Sequence, residues 1–511
     1  MVKPRTSGVR THSVPPRRIA LFASCITLVL GFAGSANAQG WLRDRSLTEG
    51  AGIRVGDVEL HPGVGVEVGL DSNWFVRSHV DGPNIVNGAP NAPIREAGVF
   101  RLTPSIAFGT PRSRITDSDE PSFVYRGSLT GTYRELVGKE VNDQRDLNLH
   151  ATFRGEIFPS RPLSGGFFAG YQRFVQPSAV PDISFNRSDV NAGAEIVAVP
   201  NSGTLSFQLG YQFYGAFYES SDGAPFTNLT NEVSSHTLWH FLPRFSIFTE
   251  TGLGFVTYPN ASRSTLALGD AIPFRTRAGV SRSASRFAVV GSVGYSTTFV
   301  AGGGARKSTS QYDGMNALLE GTMYLTGSAS TNETSATVST VTVGYTRDMV
   351  VGSAQSFRNQ PTYTFSAGQN TTFGGFTGVD KFYGRFNTLF GDRASILVEG
   401  YFDILTIPSI GLDPDANPET FHTFSPAISV FGEYRVTKSF GVNATVDYVQ
   451  NISSVQVPLG PTDVFDLNNR RLQALVGVRW PARSLQPRAA NVMFNGGAGS
   501  TTDPRFQRAT P

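Results

Sequence analysis

The sequence predicts an all-β chain: a transmembrane, antiparallel, up-and-down β-barrel of about 18 strands, with 16–18 as the range. Three observations predict it. Apolar residues recur at every second position in many segments, short and long connections alternate between those segments, and the composition joins abundant glycine and aromatic residues to few charges.

The two-residue period is clearest in Val64-Gly65-Val66-Glu67-Val68-Gly69-Leu70, which puts Val64, Val66, Val68 and Leu70 on one strand face and Glu67 on the other. It returns as Leu205, Phe207, Leu209, Tyr211 and Phe213, with Ser206, Gln208 and Gln212 between them. Further instances are Leu147 to Ile157, Phe245 to Phe255, Phe287 to Phe299, Phe424 to Tyr434 and Val442 to Tyr448. A soluble sandwich also alternates, so the connections decide.

Brief turns are expected at Pro159 to Leu163, Pro200 to Gly203, Leu242 to Arg244, Ser281 to Ser285, Gly391 to Arg393 and Thr437 to Ser439. Between them lie long polar connections: Asp71 to Gly98, Gln176 to Asn186, Asp348 to Val379, Ile404 to Phe421 and Asn451 to Val464. A membrane barrel has this asymmetry because its periplasmic ends only reverse the chain, whereas its outer ends are free to carry function. The composition of 55 Gly, 38 Phe and 16 Tyr with 16% charged residues fits a single large barrel. After Phe32 no apolar run reaches the ~18 residues of a helical span.

The division expected is a signal peptide over 1–38, a short periplasmic segment over 39–57, the barrel over 58–480 and a disordered periplasmic tail over 481–511. Lys3, Arg5, Arg10, Arg17 and Arg18 precede the apolar segment Ile19 to Phe32, and Ala36-Asn37-Ala38 has the small residues of a cleavage site, with Ala36 third from the cut and Ala38 immediately before it, so cleavage is expected before Gln39. Those five basic residues, with no acidic one before Gln39, turn a net charge of +3 into −2 for the mature chain. No broad basic field then remains to hold nucleic acid. The single cysteine, Cys25, lies in the apolar segment, so the mature chain has neither a disulfide framework nor a thiolate metal site. The tail beyond Trp480, with its prolines, glycines and arginines, cannot bury a core.

Little points to chemistry. His12, His61, His79, His150, His236, His240 and His422 are scattered, and His236 and His240, four apart on a strand, lie ~13 Å apart along the chain, too far to share a metal. His150, near Thr152 and Arg154, has no nucleophile motif beside it. The acidic stretch at Asp413, Asp415 and Glu419 lacks the spacing of a calcium loop. No catalytic residue, metal or cofactor is therefore expected.

Polar residues opposite the apolar faces are more informative. Glu67, Arg101, Arg126, Arg154, Arg275, Arg277, Arg385, Glu399, Asp403, Arg471 and Arg479 are expected to line the lumen, together with Glu195, Gln208, Gln212, Glu320 and Asp447. In lipid a basic residue at mid-depth costs roughly 2–4 kcal/mol, so the lumen is where these charges can persist. Aromatic residues at strand ends, such as Phe213, Phe217, Tyr218, Tyr448 and Trp480, are expected at the membrane interfaces.

Two short stretches resemble a family of bacterial β-barrel porins associated with exopolysaccharide loci. The first is Val58-Glu59-Leu60-His61-Pro62 through Asp71-Ser72-Asn73-Trp74-Phe75, a strand bearing Pro62 followed by an Asp71-x-Asn73 exit. The second is Val343-Gly344-Tyr345-Thr346-Arg347-Asp348, in which Tyr345, Arg347 and Asp348 lead into a long loop. The resemblance implies an outer-membrane exit conduit for a secreted polysaccharide, working with a periplasmic polysaccharide-export protein. It also implies outer-membrane lipids and the polysaccharide chain as the molecules in contact with it. Barrel size and lumen polarity alone point to a general or solute-specific diffusion porin, and the long loops to a structural or adhesive surface barrel.

Overall fold

The computed structural model describes residues 52–480 apart from 76–84, 87–88, 91–93, 112–121, 143–144, 160, 176–185, 201–203, 221–223, 225–226, 243, 261–269, 301–312, 326–338, 352–375, 391–392, 409–419, 438–439, 454–455, 459–463 and 467. The segment expected to be a signal peptide, with Ala36 and Ala38, as well as His12, His79, the acidic stretch at Asp413, Asp415 and Glu419, and the expected tail over 481–511, all lie outside the described residues.

Eighteen long strands make the wall. They are β1 (Val58–Asp71), β2 (Ala97–Gly109), β3 (Phe123–Val137), β4 (Asp146–Ile157), β5 (Leu163–Phe174) and β6 (Arg187–Ala198). Next come β7 (Leu205–Tyr218), β8 (Asn228–Leu242), β9 (Phe245–Thr257), β10 (Ala271–Ser283), β11 (Phe287–Val300) and β12 (Asp313–Tyr324). The last are β13 (Thr340–Val351), β14 (Phe376–Phe390), β15 (Ala394–Pro408), β16 (Thr420–Arg435), β17 (Gly441–Ser453) and β18 (Asn469–Trp480). Each pairs antiparallel with the next, and β18 pairs back onto β1 from Val64↔Trp480 to Asp71↔Gln473, which closes the sheet. Closure leaves no long strand with an unpaired edge, the condition for crossing lipid with strands.

Part of the 39–57 segment is ordered as sheet. Ile53–Val55 folds back on β1 through a turn at Gly56, whose φ of 59° a glycine adopts at no steric cost.

The faces follow from the two-residue period. Val64, Val68 and Leu70 are exposed on the outside of β1, whereas Glu67 and Asp71 are buried on the inside. Register carries this sidedness around the wall, so Leu209, Val233, Leu253, Val293, Leu319, Val343, Phe382, Val446 and Val476 form an apolar exterior. Phe123, Tyr125, Phe153 and Phe167 stack on that exterior with ring centroids 5.7–6.4 Å apart. Phe217 and Trp480 are exposed there too, but Tyr218 is buried, because it shares the inward face with Tyr214 two periods earlier.

One end of the barrel carries the longer connections, including 72–96, 175–186, 352–375 and 454–468. The other end reverses within a few residues at 158–162, 243–244, 284–286, 391–393 and 436–440, with two longer connections at 110–122 and 325–339. The turn expected at Ser281 to Ser285 begins later, since Ser281↔Val290 and Ser283↔Ala288 still pair.

Candidate functional site: the inner wall and its mouth

Register puts all eleven expected lumen residues, Glu67, Arg101, Arg126, Arg154, Arg275, Arg277, Arg385, Glu399, Asp403, Arg471 and Arg479, on the face opposite the apolar exterior. Most are brought together in ion pairs. Arg101 Nη1 donates to Glu67 Oε2 at 3.3 Å and Arg101 Nη2 to Gln473 at 3.4 Å. Arg154 Nη2 donates to Glu195 Oε1 at 2.9 Å, and Gln208 donates to the other oxygen of Glu195 at 2.7 Å. Arg275 pairs with Glu232 at 2.6 Å, Arg277 with Glu250, Arg385 with Glu399, and Lys381 with Asp403 at 3.6 Å. Arg479 lies within electrostatic reach of Glu433, and Arg126 lies across from Arg154.

Several of these contacts skip a strand. Glu232 on β8 and Arg275 on β10 meet above Gly252 of β9, where an added Cβ would stand 2.9 Å from Glu232 Oε1 and 3.0 Å from Arg275 Nε. Only the missing side chain at Gly252 lets that pair close. Gly166 lies likewise between Arg154 and Glu195, and Gly344 beneath the ring of Tyr383, whose hydroxyl donates to Glu320 at 2.6 Å.

The two members of these pairs are unequally placed. Side-chain exposure is 34% for Arg154 against 6% for Glu195, and 40% for Arg385 against 5% for Glu399. Arg471 is 23% exposed against none for Asp71. Arg101, Arg134 and Arg275 likewise exceed their carboxylate partners, while Arg187–Asp189 and Arg277–Glu250 run the other way. In most pairs the carboxylate lies against the wall and the guanidinium faces the space within. Pairing cancels charge at a distance, but the nearer positive end dominates for an ion within a few ångströms.

At the end with the long connections, the chain leaving β1 folds inward. Asp71 accepts from Arg471 Nε at 2.9 Å, from Gln473 Nε2 at 3.0 Å and from the backbone N–H of Asn73 at 3.1 Å. Asn73 Nδ2 donates to the carbonyl of Arg470 at 3.1 Å, and Ser72 exchanges two bonds with Leu472. These bonds deliver Trp74, 1% exposed, to a cluster with Phe75, Ala97, Val99, Leu136, Val141 and Leu475. The guanidiniums of Arg134 and Arg471 lie 5.0 and 5.3 Å from its ring. The Asp71-x-Asn73 motif is thus a clasp between first and last strands, and it holds an apolar wedge against the inner wall of the mouth. Pro62 sits on β1 opposite Ile106.

The second motif divides between the faces. Tyr345 donates to Asp380 at 2.6 Å, Arg347 lies 3.8 Å from the same carboxylate, and both are on the outward face, where the Tyr345 ring packs 4.8 Å from Phe382. Asp348 takes the inward side, in the field of Arg275.

The histidines do not assemble. His236 lies 3.8 Å from Glu250, His240 bonds Ser246 at 2.8 Å, and no group of metal-ligating side chains occurs among the described residues. Sequence reasoning missed Glu232, Glu250, Arg134, Asp146 and Trp74. The first four sit at inward positions of alternating segments and were open to the same period; Trp74 lies beyond a strand end, where the period gives no direction.

Comparison with known proteins finds no matching family model and no matching curated protein. Among solved structures, a BenF-like porin from Pseudomonas fluorescens is similar at 11% identity and a TM-score of 0.40, over 84% of this chain and 100% of that one. Acinetobacter baumannii OccAB3 is similar at 11% identity and a TM-score of 0.39, over 83% and 99%. The ferric enterobactin receptor of Pseudomonas aeruginosa is similar at 9% identity and a TM-score of 0.40, over 83% and 77%. Likeness at this level carries no functional argument. The closed antiparallel sheet, apolar outside and polar inside, is that of a bacterial outer-membrane β-barrel.

Proposed function

We propose that the chain is a passive diffusion pore for small polar solutes, with a preference for anions. Its short turns and both mature termini would then lie in the periplasm and its long loops outside the cell. The observation that carries this reading is the inner wall itself: guanidiniums of Arg101, Arg154, Arg275, Arg385 and Arg471 stand nearer the enclosed space than the carboxylates that pair with them. A barrel of this strand number is wide enough for water, and a positive inner surface raises the local concentration of anions.

The exit-conduit reading for a polysaccharide differs in what it requires. It rests on two motifs, one of which turns Tyr345 and Arg347 to the outer surface, and the other of which serves to clasp the seam. It also requires a periplasmic export partner, whereas a diffusion pore works alone. The test is reconstitution of the purified chain in planar bilayers. A steady ohmic conductance with a reversal potential on the anion side, in the absence of any partner, is expected. A closed barrel, or cation preference, would overturn the reading. In cells, a clean deletion is expected to leave surface polysaccharide unchanged; its loss would favour the conduit.

A further inference from the structure

The outer surface of β7, β8 and β9 is not evenly filled. A groove of about 720 Å³ runs there, walled by Phe207, Trp239 and Ile247 and floored by Thr237 and Thr249, all on the outward face. In a membrane protein this face meets hydrocarbon, so the groove is filled by lipid rather than by water. The large rings of Phe207 and Trp239 stand beside the small Thr237 and Thr249 side chains, and the groove lies between them.

The groove reaches the tight-turn end at Thr204 and Leu205, where the chemistry changes. Trp239, Phe241 and Phe245 pack edge to face, with centroids 5.4 and 6.1 Å apart. Arg244 forms the turn immediately before Phe245, and Arg282 pairs across from Phe245 on the same outward face, its guanidinium 6.0 Å from the Phe287 ring. Arg286 is exposed in the adjoining turn, and its carbonyl is tied to Tyr324. None of Arg244, Arg282 and Arg286 forms an ion pair among the described residues. Arg244 has φ 68°, a left-handed position at which glycine or asparagine would cost less, so its side chain is kept there against a local penalty. Ile247 and Thr249 lie two and four residues beyond Phe245, roughly 7–13 Å along the strand, which is the span from a phospholipid phosphate to the upper half of its acyl chain.

We infer that this surface is a binding site for one anionic phospholipid, with an acyl chain in the groove and its phosphate between Arg244 and Arg282. The inference rests on the proposed orientation, which puts the tight turns at the phospholipid leaflet. The positive charge is exposed at the depth of the headgroups, the aromatic rings fix the depth, and the slot selects a chain over bulk lipid.

The experiment is native mass spectrometry of the detergent-purified full chain, titrated with phosphatidylglycerol, phosphatidylcholine or lipopolysaccharide. One retained phosphatidylglycerol is expected, at least tenfold preferred over phosphatidylcholine. The double variant Arg244→Gln/Arg282→Gln is expected to lose that preference, Trp239→Ala to weaken retention of both phospholipids, and Arg393→Gln, in a different turn, to leave both unchanged. Heat-modifiable gel mobility reports that each variant is folded. Equal retention of the two phospholipids, an unaffected double variant, or preferential retention of lipopolysaccharide would overturn the site. Protease access to the 352–375 loop on whole cells tests the orientation separately, so failure of that reading is distinguishable from failure of the site.

Discussion

At the scale of single residues, Asp71 ties three partners to the end of the first strand. It is fully buried and accepts from Arg471, Gln473 and Asn73, so one carboxylate joins the last residue of β1 to the strand that closes the barrel. Removing one partner of a buried pair leaves the other charge uncompensated, at a cost of about 3–5 kcal/mol. Asp71→Ala is therefore expected to lower stability by about that amount in urea-unfolding titrations in lipid vesicles, and Asp71→Asn by less, since the amide keeps an acceptor. A loss under ~1 kcal/mol would show that the strand ladder alone holds the seam. The sequence showed Asp71 and Asn73 as a pair two apart, but not their partners some 400 positions away, because no local pattern encodes which strand meets the first.

At the scale of elements, much was legible. The two-residue period gave both faces of β1 and β7 residue by residue, and the first and last strands begin and end at Val58 and Trp480 as expected. The period carries this information because each side chain must choose between hydrocarbon and water, and a one-residue slip would invert every choice. Segments outside strands have no such constraint, so the inward course of Ser72 to Phe75 could not be read in advance. Nor could the length of 110–122 and 325–339. The wedge at Trp74 has a consequence that the strands do not share, for it adds bulk against the inner wall at the end with the long connections. Trp74→Ala is expected to raise single-channel conductance while the chain stays folded, and Trp74→Phe to restore most of the wild-type value by keeping an aromatic ring in the cluster. Identical conductance in all three would mean that the narrowest section lies deeper.

At the scale of the whole molecule, net charge is a poor guide to the inner wall. The sum says nothing of placement: the wall presents guanidiniums inward because its carboxylates are held closer to the wall, in several places by reaching over a glycine. What an ion meets is the nearer end of each pair, and that distinction survives only where salt does not screen it. The Debye length is about 10 Å at 0.1 M and about 3 Å at 1 M. Anion preference is accordingly expected to be marked at 0.1 M and to shrink several-fold at 1 M, as read from reversal potentials under tenfold salt gradients centred on each concentration. Arg385→Gln, which removes the most exposed of the inward-facing paired guanidiniums among the described residues and leaves Glu399 behind, is expected to reduce the preference at 0.1 M and to change it little at 1 M. A preference that is independent of salt would mean that selectivity arises from close coordination at a narrow point rather than from the field of the wall, and would move attention from Arg385 to the mouth residues Arg134 and Arg471 that flank Trp74.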